Sequence, residues 1–89
     1  MQTEKECYVC GTDRNLHKHH IFFGTANRSQ SEKFGCWCWL CADHHNLSND
    51  SAHRNRALDV KLKTDCQKIL EKRGLTRERF MYVFGKNYL

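Results

Sequence analysis

The spacing of cysteines and histidines constrains this chain more than any other feature. Six of each stand in 89 residues, and two groups are spaced like metal ligands, Cys7-x-x-Cys10 near the start and Cys41-x-x-His44 in the middle. A chain of this length buries only roughly two thirds of its unfolded surface, so apolar packing leaves it marginal and a staple is expected. Disulfides and metal are the two options. Residues 2–6 (QTEKE) are polar rather than a basic and apolar leader, and no apolar run approaches the ~18 residues of a membrane span. The expectation is a cytoplasmic protein, where thiols stay reduced and Cys-x-x-Cys beside histidines reads as zinc ligation.

Zinc takes four thiolate or imidazole ligands, usually as two close pairs from separate parts of the chain. Cys7 and Cys10 make the first pair. The second is either Cys38 with Cys41 or Cys41 with His44. Residues 34–41 (FGCWCWLC) carry no charge and read as a buried strand, in which side chains alternate faces and Cys38 points away from Cys41. Trp39 and Leu40 are poor turn residues. Cys41 closes the strand and His44 follows on the first helical turn, so Cys7, Cys10, Cys41 and His44 are favoured, with Cys38 in place of His44 as the alternative. Cys36, Cys38 and Cys66 then serve as small buried hydrophobes.

Residues 1–89 read as a single domain. A zinc-knuckle turn after Cys7 leads to a short strand at residues 16–21 (LHKHHI), and residues 24–33 have turn composition without periodicity, predicting a loop between two strands. A helical turn begins near Ala42. Asn49, Asp50 and Ser51 are N-cap types, and Ala57, Leu58, Leu62, Cys66, Ile69 and Leu70 recur at helical spacing until Gly74, predicting one long amphipathic helix. Thr76 caps a short last helix in which Phe80, Val83 and Phe84 share a face. Charge is uneven: residues 1–53 hold five Lys/Arg against six Asp/Glu, while residues 54–89 hold ten against four. The basic half suggests a polyanionic partner beside a metal-holding half.

Together, Cys-x-x-Cys, then His19-His20-Ile21, then Leu40-Cys41-x-x-His44-His45-Asn46 resembles the HNH (ββα-metal) endonuclease superfamily. Within it the chain is similar to small phage and prophage nucleases of the RecA-dependent, recombination-promoting type. The likeness covers roughly residues 7–55, and residues 84–89 (FGKNYL) also look like the end of such proteins. It implies a small α+β fold: a ββα-metal finger with structural zinc over about 7–55, then a helical part over about 51–89 made of a long amphipathic helix and a short C-terminal one.

The implied activity is metal-dependent hydrolysis of DNA phosphodiesters, by nicking or double-strand cutting in a bacterial host cytoplasm. DNA is the partner, together with a recombinase or another phage DNA-processing protein. The resemblance makes His20 the general base and His19 and His45 ligands of a catalytic metal, with Cys7, Cys10, Cys41 and His44 on the structural zinc positions. Water must lose a proton and the charge developing on the phosphate must be neutralised, which is work for an imidazole and a divalent cation.

A third metal ligand is expected one helical turn after His45, ranking Asn49 above His53, which lies a further turn along. Oxygen from Asn49 suits Mg2+ or Mn2+, whereas His53 tilts the site toward zinc or nickel. The family's middle asparagine, five residues before Cys41, is here Cys36, which leaves its bracing role unassigned. Adjacent His19 and His20 point to opposite faces of a regular strand, so both reach one site only where the strand is irregular. Lys18, Arg28, Lys33, Arg54 and Arg56 are the phosphate-contact candidates, and His17 reads as a core group or a phosphate contact. The rival class is a non-catalytic zinc module that binds nucleic acid, which has no use for a second metal site beside His20. A protein-interaction zinc ribbon leaves the basic half unexplained.

Overall fold

Two strands, Leu16–His20 (β1) and Trp37–Cys41 (β2), form an antiparallel pair in which Leu16 faces Cys41, Lys18 faces Trp39 and His20 faces Trp37. The structure is a computed structural model that describes residue 2 and residues 4–23, 25–47 and 52–89. Strand alternation sorts the side chains: Cys38 and Leu40 are fully buried on one face, while Trp37 and Trp39 lie half-buried on the other. Among the described residues three helices complete this small α+β fold, Thr25–Phe34 (α1), Arg56–Lys72 (α2) and Arg77–Phe84 (α3), with a π-helical turn at Asp43–Leu47.

Helix α1 corrects the expectation of a loop over residues 24–33. Its inward positions Asn27, Gln30, Ser31 and Phe34 follow helical spacing, but three of the four are polar, so no apolar period betrays them. Ser31 is fully buried, and its hydroxyl donates to the Phe22 carbonyl and accepts from the Phe22 amide, at 2.7 and 3.0 Å. The helix stops at Gly35, whose φ of 71° suits a residue without a Cβ. The second strand accordingly starts at Trp37 rather than at residue 34.

Helix α2 also begins later than expected. Asn55 caps it, its side chain accepting from the Leu58 amide; the positions first favoured as caps, 49–51, lie outside the described residues. Leu62, Cys66 and Leu70 are buried as the periodicity predicts, whereas Ala57 is exposed. The helix closes through Gly74, and α3 runs from its Thr76 cap to Gly85 as expected.

Phe80 and Phe84 turn inward onto Phe22, which stacks on Phe84 at 4.2 Å between ring centres and meets Phe80 edge-on at 5.5 Å. The C-terminal tail docks through buried Gln67, which donates to Asn87 and accepts from the Tyr88 amide. The strand pair, α1 and the helical part thus share one core that runs from Cys7 to Phe84. No described helix is long and apolar enough to cross a membrane.

Candidate metal centres

The knuckle closes where the Gly11 amide donates to the Cys7 carbonyl, with Gly11 at a φ of 76°. The Tyr8 amide ties the knuckle to β2 by donating to the Trp39 carbonyl. This seats Cys7 and Cys10 against Cys41 and His44 at the end of the strand, and the four ligand atoms lie within 4.8 Å of one another. Cys10 and Cys41 sulfurs are 3.8 Å apart, and His44 Nδ1 lies 3.2 Å from the Cys41 sulfur and 3.7 Å from that of Cys7. A tetrahedral ion with metal–sulfur bonds of about 2.3 Å spaces its sulfurs by about 3.8 Å. Cys7, Cys10, Cys41 and His44 could therefore hold a metal ion.

Their electrostatics suit a cation. Burial on its own raises the Cys7 thiol, but hydrogen bonds from the Cys10, Cys41 and Val9 backbone outweigh it and bring the pKa down to about 6. The Cys41 thiol is pushed up by burial and by its Cys7 and Cys10 neighbours, the repulsion between thiolates that a shared cation relieves. Cys38 lies outside this cluster, fully buried and pushed up to about 12 by burial. Cys36 and Cys66 are buried thiols as well.

A second group forms around His45, the residue that follows His44. The ligand nitrogens of His19, His45 and His53 also lie within 4.8 Å of one another. His45 and His53 approach through their Nε2 atoms at 3.2 Å, and the His19 ring sits 5.3 and 5.1 Å from theirs. What brings His53 here is the main chain, not a continuing helix face: the Ala52 and His53 amides donate back to the His44 and His45 carbonyls.

His19 is only 2% exposed, and its Nε2 has no hydrogen-bond partner among the described residues. Burial, then the neighbouring His45 and His53, drives its pKa down to about 3, and burial likewise lowers that of His45. A buried ring nitrogen without a hydrogen-bond partner among the described residues, with two further imidazoles close by, is what a cation requires and what a core histidine avoids. The donor set fits a metal ion. His17 Nδ1 lies 3.0 Å from His45 Nδ1, so it can orient the ring of that ligand from outside. Asn49, ranked first as the third ligand, lies outside the described residues; His53, ranked second, completes the histidine cluster.

His20 ends β1 on the strand face opposite His19, yet both line one cleft of about 560 Å³ together with Lys18, Phe23, Arg28, His45 and His53. The strand stops there, so side chains from either face reach the same opening. His20 Nε2 is 2.7 Å from a Glu32 carboxylate oxygen, and Lys18 Nζ is 2.7 Å from the other. Lys18 also lies 4.3 Å from the centre of the Trp37 ring, so its charge is already engaged. Arg28 is exposed at the cleft, Lys33 is exposed on α1, and Arg54 and Arg56 are exposed beside His53.

Comparison with known protein families, with curated proteins and with solved structures found no significant match. Sequence reasoning passed over Glu32 and read His17 as a core group or a phosphate contact, whereas it is exposed and lies beside His45. Residues 24–33 gave Glu32 no helical signal, while the i, i+2 spacing of His17 from His19 on one strand was a signal at hand.

Proposed function

We propose that this chain is a metal-dependent DNA endonuclease of the HNH (ββα-metal) type, with zinc as a structural staple and His20 as general base. One observation carries the reading: a three-histidine cluster with an unpartnered buried nitrogen opens into the same cleft as His20, separate from the thiolate cluster. A binding module built on the first cluster has no use for the second. Four thiolate and imidazole donors at tetrahedral spacing favour zinc at Cys7, Cys10, Cys41 and His44. Three neutral imidazoles favour a borderline cation such as nickel or zinc at His19, His45 and His53, with Mg2+ or Mn2+ requiring oxygen ligands from elsewhere.

His19, His45 and His53 would hold the ion, which when bound would supply positive charge against the phosphate and the departing oxygen. His20 takes the proton from a water molecule, and the hydroxide so formed bonds to phosphorus as the ester oxygen leaves with the electron pair of the broken bond. Arg28, at the rim of the cleft, pairs with a phosphate oxygen, while the basic α2 and α3 approach the flanking backbone. The motif resemblance extends the reading to a phage-encoded enzyme in a bacterial cytoplasm, working beside a recombinase.

Supercoiled plasmid incubated with Mg2+, Mn2+, Ni2+ or Zn2+, against EDTA, tests the reading. Cleavage is expected with at least one ion, and His20→Ala should lose about 10²–10⁴ in rate with zinc content and melting temperature unchanged. DNA binding without cleavage under every ion, or normal cutting by His20→Ala, hands the protein to the nucleic-acid-binding reading.

A further inference from the structure

A general base on a strand end needs more than proximity to its water. An imidazole rotates about two bonds and exchanges its hydrogen between two nitrogens, and only the nitrogen without hydrogen accepts a proton. Something must fix both. For His20, Glu32 is the group in contact, at 2.7 Å from Nε2.

Several features make this contact more than a chance surface pair. Glu32 follows Ser31, whose side chain is fully buried and doubly bonded to the Phe22 main chain, so the helix that presents the carboxylate is fixed in register two residues beyond His20. The Ser31 carbonyl also accepts from the Cys36 amide at 2.7 Å, anchoring the end of α1. Lys18 occupies the second carboxylate oxygen at 2.7 Å and packs over Trp37, which holds the carboxylate from its other side. The Glu32 side chain is 52% exposed, and an ion pair screened by solvent in this way contributes little to folding. Stability therefore gives little reason for three side chains to converge there.

We infer that Glu32 is a positioning residue for His20, accepting the Nε2 hydrogen and so leaving Nδ1 as the proton-accepting nitrogen. The inference rests on the nuclease reading for its catalytic half. A carboxylate bonded to the far nitrogen sets tautomer and ring orientation and stabilises the imidazolium that forms when the proton arrives.

Glu32→Ala on the full chain, loaded with zinc, tests it through two readouts. Nitrogen NMR of the histidine rings at a pH where His20 is neutral should show the single Nε2–H tautomer in the wild type and a mixture in Glu32→Ala. The plasmid assay should show kcat reduced roughly ten- to a hundred-fold with KM, zinc content and melting temperature unchanged. An Nδ1–H tautomer in the wild type, an unaltered tautomer in the variant, or a wild-type kcat in Glu32→Ala would overturn the inference. The last result, beside an inactive His20→Ala, leaves the nuclease reading standing. A wild-type protein that cuts with no ion fails the nuclease reading and removes the catalytic role of Glu32 with it.

Discussion

Replacing His19 by leucine should make the protein more stable and less able to bind metal at once. His19 is buried with its Nε2 unpartnered among the described residues, and a buried polar atom left unsatisfied costs roughly 1–3 kcal/mol. Leucine fills a similar volume without that atom. For a domain of this size each kcal/mol moves the melting temperature by about 4–8 °C, so His19→Leu should melt at least about 4 °C above the wild type when only the thiolate cluster is loaded. The comparison needs protein carrying one zinc per chain, confirmed by metal analysis, and thermal melts followed by circular dichroism. Acid should separate the two further. The pKa of His19 falls from 6.5 to about 3 on folding, so its unfolded form binds the proton more readily. Its share of stability is complete above pH 6.5 and is lost as pH falls toward 3. His19→Leu lacks that share of the loss, so its advantage should widen below pH 6.5. Added Ni2+ at a hundred times its dissociation constant should then stabilise the wild type by about 2.7 kcal/mol and leave the variant unmoved. A His19→Leu protein that melts lower than the wild type without the second ion would refute the reasoning, since the ring would be making a stabilising bond.

Stripping the zinc proposed for Cys7, Cys10, Cys41 and His44 should unfold the domain, because structural zinc contributes about 10–16 kcal/mol in zinc-finger peptides, as much as or more than the whole stability of most domains. Cys10→Ser should lose the bound ion and the cooperative melt, which metal analysis and calorimetry will read. His44→Ala should behave likewise, since His44 Nδ1 faces the Cys7 and Cys41 sulfurs. His45→Ala should instead stay folded with one zinc and lose Ni2+ binding in a calorimetric titration, because its ring faces His53. Phe80→Ala, at the fully buried meeting point with Phe22, should cost about 3–5 kcal/mol in denaturant melts while sparing zinc stoichiometry.

Spacing and periodicity alone determined much of this protein. Two bulky residues between Cys38 and Cys41 make a poor turn, so strand parity favoured Cys41 with His44 over Cys38, and the structure brings that set together with Cys7 and Cys10. The same local rules delivered the two strands, the Leu62, Cys66 and Leu70 stripe, and the Thr76 cap. Local rules failed where burial is polar or where the chain returns on itself. Helix α1 turns Asn27, Gln30 and Ser31 inward, and a helix without an apolar stripe becomes legible only once Ser31 finds the Phe22 main chain. His53 reaches His45 through backbone bonds across a fold of the chain, a closure that no helical spacing encodes. Glu32 meets His20 from an element that sequence reading treated as a loop. Ligand spacing within a few residues is set by covalent geometry and is therefore written in the sequence. The meeting of His19, His45 and His53, and of Glu32 with His20, depends on which distant segments pack together, and the tertiary structure alone decides that.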